Sequence, residues 1–519
     1  MQKRKLKKIE LTKNKKKGVK PKKQKLPKYH LYKNEQNHRD ILEKITKGQT
    51  LILVPEVYLI DEVFGLLNKE QQKKTVIWNG SLSTKEKFER WLQIRNGEKT
   101  IILGTRAAVF LPFTNLKTII IDFEEKENHK HWDQTPRFHA KDIASLLSKI
   151  HSSNLHLLSY SPSVESYFYV HKNNYKASNT FEQTKYESKN FSLVNMTDER
   201  RGKNFSIFSS DVEDAIIETK GDVFLFINRL GFATSVGCND CGHKETCSGC
   251  KTPLVYHEKT RTLHCHYCKT KRAMQHACPT CRSTLVELRG MGTEHVDSLV
   301  RKLLGQKNTH KIIRIDSDNQ FIDEKDDTPR LVIGTEMAFQ HIRWKSTDLI
   351  VFLDIDKQLA LPEFLAAEHV WHRIGEVNYR RNDSSTFYIQ TFNPNQLVLK
   401  STTEPDRFYR TDLNLRRSLG YPPYQYLTRY FFGHQNQMVA KKQAENLEKH
   451  LRERLTNEKK GIIISSHIEM HPRFYRRKFW YAILVKLPTK TWQDDLVWLN
   501  QYVPGSWKID PNPISILSP

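Results

Sequence analysis

"LKTIIIDFEEKENHKHW", residues 116–132, decides the fold. Its run of isoleucines is short and apolar on both faces, as in a strand buried inside a parallel sheet. The run ends in Asp122, and Glu124 and Glu125 follow. A strand that delivers carboxylates to its tip is how many ATPases hold magnesium and polarise water. Phe123, however, stands where a Glu directly after the Asp is expected.

The same logic extends outward. "TLILVPE" (50–56), "KTVIWN" (74–79), "TIILGT" (100–105) and "LHLLSYS" (155–161) are further buried strands, and "HRDILEKITKG", "DEVFGLLNKEQQ", "STKEKFERWLQIRNG" and "AKDIASLLSKIH" have helical spacing. Strands alternating with helices predict a parallel α/β sheet. A second series starts near 204, with strands at "DVFLFIN", "KIIRID", "RLVIGT", "TDLIVFLDID" and "STFYIQTF". From about 401 the order becomes β-α-β-β-α-β, the ferredoxin-like arrangement. The expected organisation is a basic arm at 1–28, one α/β lobe at 29–200, a second at 201–400 interrupted by a cysteine-rich insertion at 235–285, and an α+β domain at 401–519.

The chain has 519 residues and a formal charge of +26. A field of that sign attracts phosphate backbones, so nucleic acid is the expected partner. A generally basic proteome is the bland alternative. No run approaches the ~18 apolar residues of a membrane span, and the N-terminus lacks the apolar stretch of a secretory signal. A cytosolic location, without a membrane partner, is expected. Half of residues 1–28 are Lys or Arg and the only acid is Glu10. Such a segment buries too little to fold, and serves as a tether to nucleic acid or as a solubilising tail.

All eight cysteines lie between 238 and 281, in four C-x2-C knuckles: Cys238/Cys241, Cys247/Cys250, Cys265/Cys268 and Cys278/Cys281. Two knuckles complete one tetrahedral zinc site, so four predict two structural zinc ions. Fourteen residues separate the middle knuckles, the length of a zinc-ribbon hairpin. That pairs Cys247, Cys250, Cys265 and Cys268 around one ion and Cys238, Cys241, Cys278 and Cys281 around the other. Side-by-side pairing, an iron–sulfur cluster and redox dithiols are the alternatives. His243, His264 and His266 are not needed as ligands.

The stretch "LFINRLGF…CNDCGHKETCSGC…CHYC…CPTC…GMGTEHVD…IIRIDSD", with "LILVPEVYL", "GTRAAVF", "PRFHAKD", "LVIGTEM" and "LGYPPY", resembles the primosomal protein N′ (PriA) family of bacterial replication-restart helicases, over roughly residues 40 to 500. The resemblance implies two RecA-like lobes, a two-zinc insertion with nested sites in the second, and a C-terminal DNA-binding domain. It implies recognition of forked or single-stranded DNA, ATP-driven 3′-to-5′ unwinding, and work with single-stranded DNA-binding protein and helicase-loading proteins. No counterpart of the family's N-terminal 3′-end-binding and winged-helix domains is expected, the basic arm standing in their place.

The departures fall on the ATP chemistry. A phosphate-binding loop needs glycines so that backbone N–H groups can wrap the phosphates, then Lys and Ser/Thr. "PKYHLYKNEQNHRD" (27–40) has neither a glycine nor that ending. "SYSPS" (159–163) puts Tyr160 where a small Ala belongs, and "QHIRW" (340–344) replaces a Lys-Gly loop. "EVNYRRND" (376–383) should follow Q-x-x-G-R-x-G-R. Arg380 fits the first Arg, but Asp383 occupies the second, where an arginine finger is worth about 10³–10⁵ in rate. Asp122, Glu124 and Arg380 are therefore read as vestiges, with neither ATP nor magnesium expected. The lobes should form a fixed closed pair, with Phe123 and Tyr160 helping fill the cleft.

In the family, "ENHKHWDQTPRFHAKD" (127–142) senses single strands. Trp132 and Phe138 would stack on bases, with Arg137 and Lys141 on phosphates. Alternatively Phe138 packs under the loop and Trp132 on the second lobe. Arg106 and Arg229 face the DNA or bridge the lobes. "HPRFYRRKFWY" (471–481) offers Arg473, Arg476 and Arg477 to a DNA backbone, although its alternating aromatics also suit a core. Three functions compete: an ATPase-dead restart scaffold, an active helicase with a divergent nucleotide site, and an RNA- or ribosome-associated basic protein.

Overall fold

The computed structural model describes residues 25–177, 190–227, 292–316, 327–458 and 461–518. Within the cysteine-rich stretch it describes 235–238, 241, 243, 245–248, 254–257, 262–265, 270–275, 277–284 and 286–289. Arg229, Cys250, Cys268, His266 and residues 1–24 of the basic arm lie outside these.

The first sheet comprises β1 (Lys28–Leu31), β2 (Gln49–Leu53), β3 (Thr75–Trp78), β4 (Ile101–Gly104), β5 (Leu116–Ile121), β6 (Asn154–Ser159) and β7 (Lys176–Ala177). Their order is β3-β4-β2-β5-β6-β1-β7, all parallel. The isoleucine run is β5, and Ile119, Ile120 and Ile121 are fully buried because helices cover both faces. Lys28, assigned above to the arm, opens β1, and its neighbour Lys25 donates to Asn154 Oδ1 at 3.0 Å. Continuous burial of "YHL" ties this end of the arm to the sheet: Tyr29, His30 and Leu31 are all buried.

The second sheet joins β8 (Phe191–Asn195) and β9 (Asp222–Phe226) to strands beyond the insertion. The insertion itself is a five-stranded antiparallel sheet of β10 (Ser235–Cys238), β11 (Val255–His257), β12 (Thr262–His264), β13 (Lys271–Ala273) and β14 (Val286–Arg289). After it come β15 (Lys311–Ile315), β16 (Arg330–Gly334), β17 (Thr347–Phe352) and β18 (Thr386–Thr391). The parallel order is β15-β16-β9-β17-β18-β8. The expected lobe boundary at 200 is therefore too late. β8 pairs with β18, so the second lobe's sheet already includes residue 191. The two sheets share a detail. A Cβ on Gly104 would meet Trp78 O at 2.4 Å, and one on Gly334 would meet Ala338 Cβ at 2.3 Å.

The boundary at 401 also moves. Helix Pro405–Leu419 lies in the lobes' own core, with Phe408 stacked on Trp371 at 4.7 Å. Tyr409 bridges the lobes, accepting from Trp371 Nε1 and donating to Pro162 O, both at 2.9 Å. The last sheet follows, with β19 (Gln425–His434), β20 (Ile463–Ile464), β21 (Ile468–Tyr475), β22 (Lys478–Pro488) and β23 (Lys508–Pro511). Its order is β20-β22-β19-β23, with β21 on β22. "GIIISSH" supplies only the two-residue β20, and β21 is an additional strand. Pro472 removes a ladder donor there, and the β21–β22 register shifts between Glu469 and Phe474. Among the described residues, no helix is long and apolar enough to cross a membrane.

Candidate functional site

Parallel register brings the tips of four strands together. Leu53 pairs with Ile121, Ile121 with Leu157, and Leu31 with Ser159. The residues just beyond these pairs, Tyr32, Asp122, Phe123 and Tyr160, therefore converge at the carboxyl edge, where ligands of open α/β sheets bind. Between β1 and helix Glu35–Ile45 there are only Tyr32, Lys33 and Asn34, and the Asn34 side chain caps the helix by accepting from Asn37 N–H. This tight turn replaces a glycine loop.

The space beside it is filled by rings. His38, in the first turns of that helix, places Nε2 2.7 Å from Asp122 Oδ2, with both side chains fully buried. Phe123 N–H donates to the other Asp122 oxygen at 3.0 Å. Tyr32 stacks on His38 at 4.0 Å, and Tyr160 stacks on Tyr379 of the second lobe at 5.2 Å. Phe123 meets Tyr32, His38 and Tyr160 edge-on. Its φ of 51° is a left-handed conformation that a bulky residue adopts only under constraint. The surviving carboxylate is thus spent on a histidine, and four first-lobe rings close on one from the second lobe.

Charged groups bridge the same closure. Arg380 reaches Glu62 of the first lobe at 2.9 Å and Glu376 at 3.1 Å, and Lys126 of the first lobe reaches Glu376 at 2.7 Å. Arg373 adds a contact to Glu376 at 3.1 Å. Burial alone would raise the Glu376 carboxyl, but Lys126, Arg380 and Arg373 together hold it at about 2. Arg380 therefore belongs to a lobe-to-lobe ion-pair network.

Glu124 does not swing round to replace the missing acid. It accepts from Tyr29 Oη (3.0 Å), Ser163 N–H (2.9 Å) and Ser163 Oγ (3.0 Å), and pairs with Lys141. The expectation of Lys141 on a phosphate fails for the same reason: its charge neutralises a buried carboxylate. Glu125 accepts from Ser159 Oγ at 2.6 Å. Burial, reinforced by the Glu124 charge, pushes its carboxyl up to about 8. The folded state then holds a proton that the unfolded state has released above its ordinary carboxylate range, so Glu125 lowers stability as pH rises from about 4.5 to 8. Glu125→Gln is expected to stabilise the fold by about 3 kcal/mol at pH 8 and by under ~1 kcal/mol at pH 5, read from urea midpoints at the two pH values. An equal gain at both would contradict a titrating Glu125.

Of the residues offered to DNA, Arg137 and Phe138 turn inward. Arg137 is buried, 3.5 Å from Asp510 Oδ2, with its guanidinium 4.6 Å over Phe431. Asp510, on β23, also meets Lys130 at 3.0 Å and Arg429 at 2.9 Å. One carboxylate of the C-terminal sheet therefore gathers three cations, two of them from the first-lobe loop. Phe138 packs in the first-lobe core, edge-on to Phe110 at 5.0 Å. Trp132 is 44% exposed at the loop's tip. Arg106 donates to Asn128 O at 3.3 Å and lies 4.0 Å from Asp133, bracing the loop that carries Trp132.

Arg476 and Arg477 form the exposed two-residue turn between β21 and β22, at φ 49° and 62°. A two-residue hairpin with both positions left-handed ordinarily takes Asn-Gly, so two arginines there accept strain to place cations at the tip. Arg473 pairs with Glu469 at 2.9 Å. Phe474, just before the tip, packs on the small core of the cysteine sheet.

In that sheet the ligand atoms of Cys238, Cys241, Cys278 and Cys281 all lie within 4.8 Å of one another. Cys238 Sγ is 3.5 Å from Cys281 Sγ, and Cys241 Sγ is 3.6 Å from Cys278 Sγ. A tetrahedron of ~2.3 Å zinc–sulfur bonds has sulfur–sulfur edges of about 3.8 Å, so these four thiols fit one metal ion. The outer knuckles meet because β10, which ends at Cys238, is the antiparallel neighbour of β14, which starts shortly after Cys281 and places Val286 opposite Cys238. Cys247 and Cys265 are buried together in the sheet's core, while their knuckle partners lie outside the described residues.

No family model matches the sequence. Among curated proteins, it is 30% identical over 429 residues to replication restart protein PriA of Bacillus subtilis (strain 168), covering 78% of this chain and 52% of that protein. It is 29% identical over 498 residues to PriA of Borreliella burgdorferi (90% and 73%), and 30% over 471 residues to PriA of Chlamydia pneumoniae (86% and 61%). Over most of its length the chain is similar to replication restart proteins PriA. It spans about half the length of the Bacillus subtilis PriA. Partial likeness extends to solved structures of Saccharomyces cerevisiae Dbp5 bound to RNA and ADP BeF3 (13% identity, 75% of this chain and 89% of that one, TM-score 0.37). Another is RecG bound to a three-way DNA junction (10% identity, 76% and 47%, TM-score 0.36).

Against the PriA pattern, the residues that close the cleft were partly visible. Tyr379 stands at the first glycine of the Q-x-x-G-R-x-G-R motif, a signal that a ring had entered the lobe interface. His38 was hidden, because the stretch around it departs from the PriA loop by lacking glycines, and that says nothing of what replaces them. Asp510 had no local signal at all, since its three cations come from 81 to 380 residues away in sequence.

Proposed function

We propose that this chain is a DNA-binding PriA relative that recognises forked or single-stranded DNA in replication restart and scaffolds primosome assembly without turning over ATP. The observation that carries the reading is the fate of Asp122. Its carboxylate is held by His38, inside a ring cluster that occupies the edge where phosphates and magnesium would be needed. Arg380, tied to Glu62 and Glu376, supports the same conclusion, because a transferred phosphoryl group would have to compete with two carboxylates for it.

Binding is assigned to the exposed cations and rings that remain: Arg476 and Arg477 on the backbone, and Trp132 on a base. The cysteine sheet holds two structural zinc ions in this reading, nested as the spacing predicts. The partners are single-stranded DNA-binding protein and helicase-loading proteins, by relation to the family. The deciding measurement is DNA-stimulated ATP hydrolysis beside forked-DNA binding in one buffer. Fork binding with hydrolysis at background is the expected result. Hydrolysis that rises with DNA and falls in Arg380→Ala would instead mean a working helicase with a divergent nucleotide site.

A further inference from the structure

Two phenylalanines of the second lobe are held in solvent by polar clamps. Phe205 is 76% exposed and Phe392 is 51% exposed. Both ring centroids lie 5.9 Å from the same guanidinium carbon, that of Arg200. Arg200 also donates to the carbonyls on either side of Phe205, Asn204 O at 2.6 Å and Ser206 O at 2.8 Å. Phe392 is fixed at both ends. Its N–H donates to Asp356 Oδ2 at 2.8 Å, its carbonyl accepts from Thr197 Oγ1 at 3.1 Å, and Thr391 Oγ1 donates to Asp356 Oδ1 at 2.6 Å.

Folding gains nothing from presenting two large rings to water, and polar groups here do the presenting. The place is also informative. β18 ends at Thr391 and β8 at Asn195, so the rings stand outside the carboxyl ends of parallel strands. Exposed Arg201 and Lys203 flank them. Aromatic faces interleaved with Arg and Lys are what single-stranded nucleic acid requires: stacking for the bases and cations for the backbone.

The geometry points to Phe205, Arg200 and Phe392 as a base-stacking platform for a single strand on the second lobe, separate from the loop carrying Trp132 and from the Arg476–Arg477 turn. This rests on the proposed reading that the chain binds DNA. Binding of oligothymidylate, oligouridylate and a blunt duplex by the full zinc-loaded chain tests it. Phe205→Ala and Phe392→Ala are each expected to weaken oligothymidylate binding by about 5- to 100-fold while duplex binding holds. Phe392→Tyr should restore the affinity and Phe392→Leu should not, since stacking needs a ring and a protein partner's apolar surface does not. Parallel losses on oligouridylate fit the same platform, with either strand chemistry accepted. Wild-type binding that both Ala variants retain would overturn the platform alone, as would rescue by Leu. A wild-type chain that binds no single strand at all would overturn the DNA-binding reading with it.

Discussion

Asp510→Ala is expected to destabilise the chain by about 3–5 kcal/mol, the cost of leaving buried charge without its partner. Lys130 and Arg429 are almost completely buried, and Arg137 nearly so, and each has a nitrogen within 3.5 Å of an Asp510 oxygen. Asp510 is the carboxylate shared by these three cations, and Lys130 also donates to Pro511 O and Arg429 to Ser518 O. The loss should appear as a lower urea midpoint. It should also loosen the seam between the first-lobe loop and β23, which amide exchange at residues 127–139 would report. Arg137→Gln, which removes one cation and keeps Asp510 paired with the other two, should cost less. A midpoint for Asp510→Ala within about 1 kcal/mol of wild type would mean that the seam is solvated and that the junction does not depend on this carboxylate.

Cys238→Ser is expected to reduce bound zinc from two ions per chain to one and to unfold the cysteine sheet while both parallel sheets persist. Among the described residues, the sheet's buried core consists of Val236, Leu254 and Leu263 with Cys247 and Cys265, a small core for a unit of this size. Structural zinc contributes on the order of 10–16 kcal/mol of binding free energy in small finger peptides, so the ions rather than the apolar core would decide whether this sheet forms. Metal content by elemental analysis and limited proteolysis between 235 and 289 would check both halves of the expectation. Two ions retained in Cys238→Ser would mean that Cys238 is not a zinc ligand. Because Phe474 rests on this core, zinc loss should also free the Arg476–Arg477 turn.

The broad architecture was legible because it depends on local pattern. Continuous apolar runs such as Ile119–Ile121 have one good solution, burial between helices in a parallel sheet, and four C-x2-C thiol knuckles have one usual purpose. Boundaries were less legible. β8 joins the second sheet although its sequence, "FSLVN", carries nothing to distinguish it from a linker, and helix Pro405–Leu419 reads as the start of a domain but packs against Trp371. The candidate site divided in the same way. The missing glycines and Asp383 led to the expectation that phosphate chemistry is lost. They could not say that His38 had taken Asp122, that Arg380 had turned to Glu62, or that Arg137 and Phe138, read as facing DNA, are inside.

By itself, then, the sequence determined the composition of the elements: parallel α/β lobes, a cysteine insertion with the spacing of metal ligands, an α+β tail, and a nucleotide motif without its usual glycines. Only the tertiary structure decided where each surviving charge and ring is spent. A carboxylate or guanidinium has no preference for DNA over a buried counter-charge until the chain brings one within about 3 Å, and desolvation then makes that nearest partner the one it must keep. Asp122, Arg137 and Arg380 were each claimed in this way, while Arg476, Arg477, Phe205 and Phe392 were left facing outward.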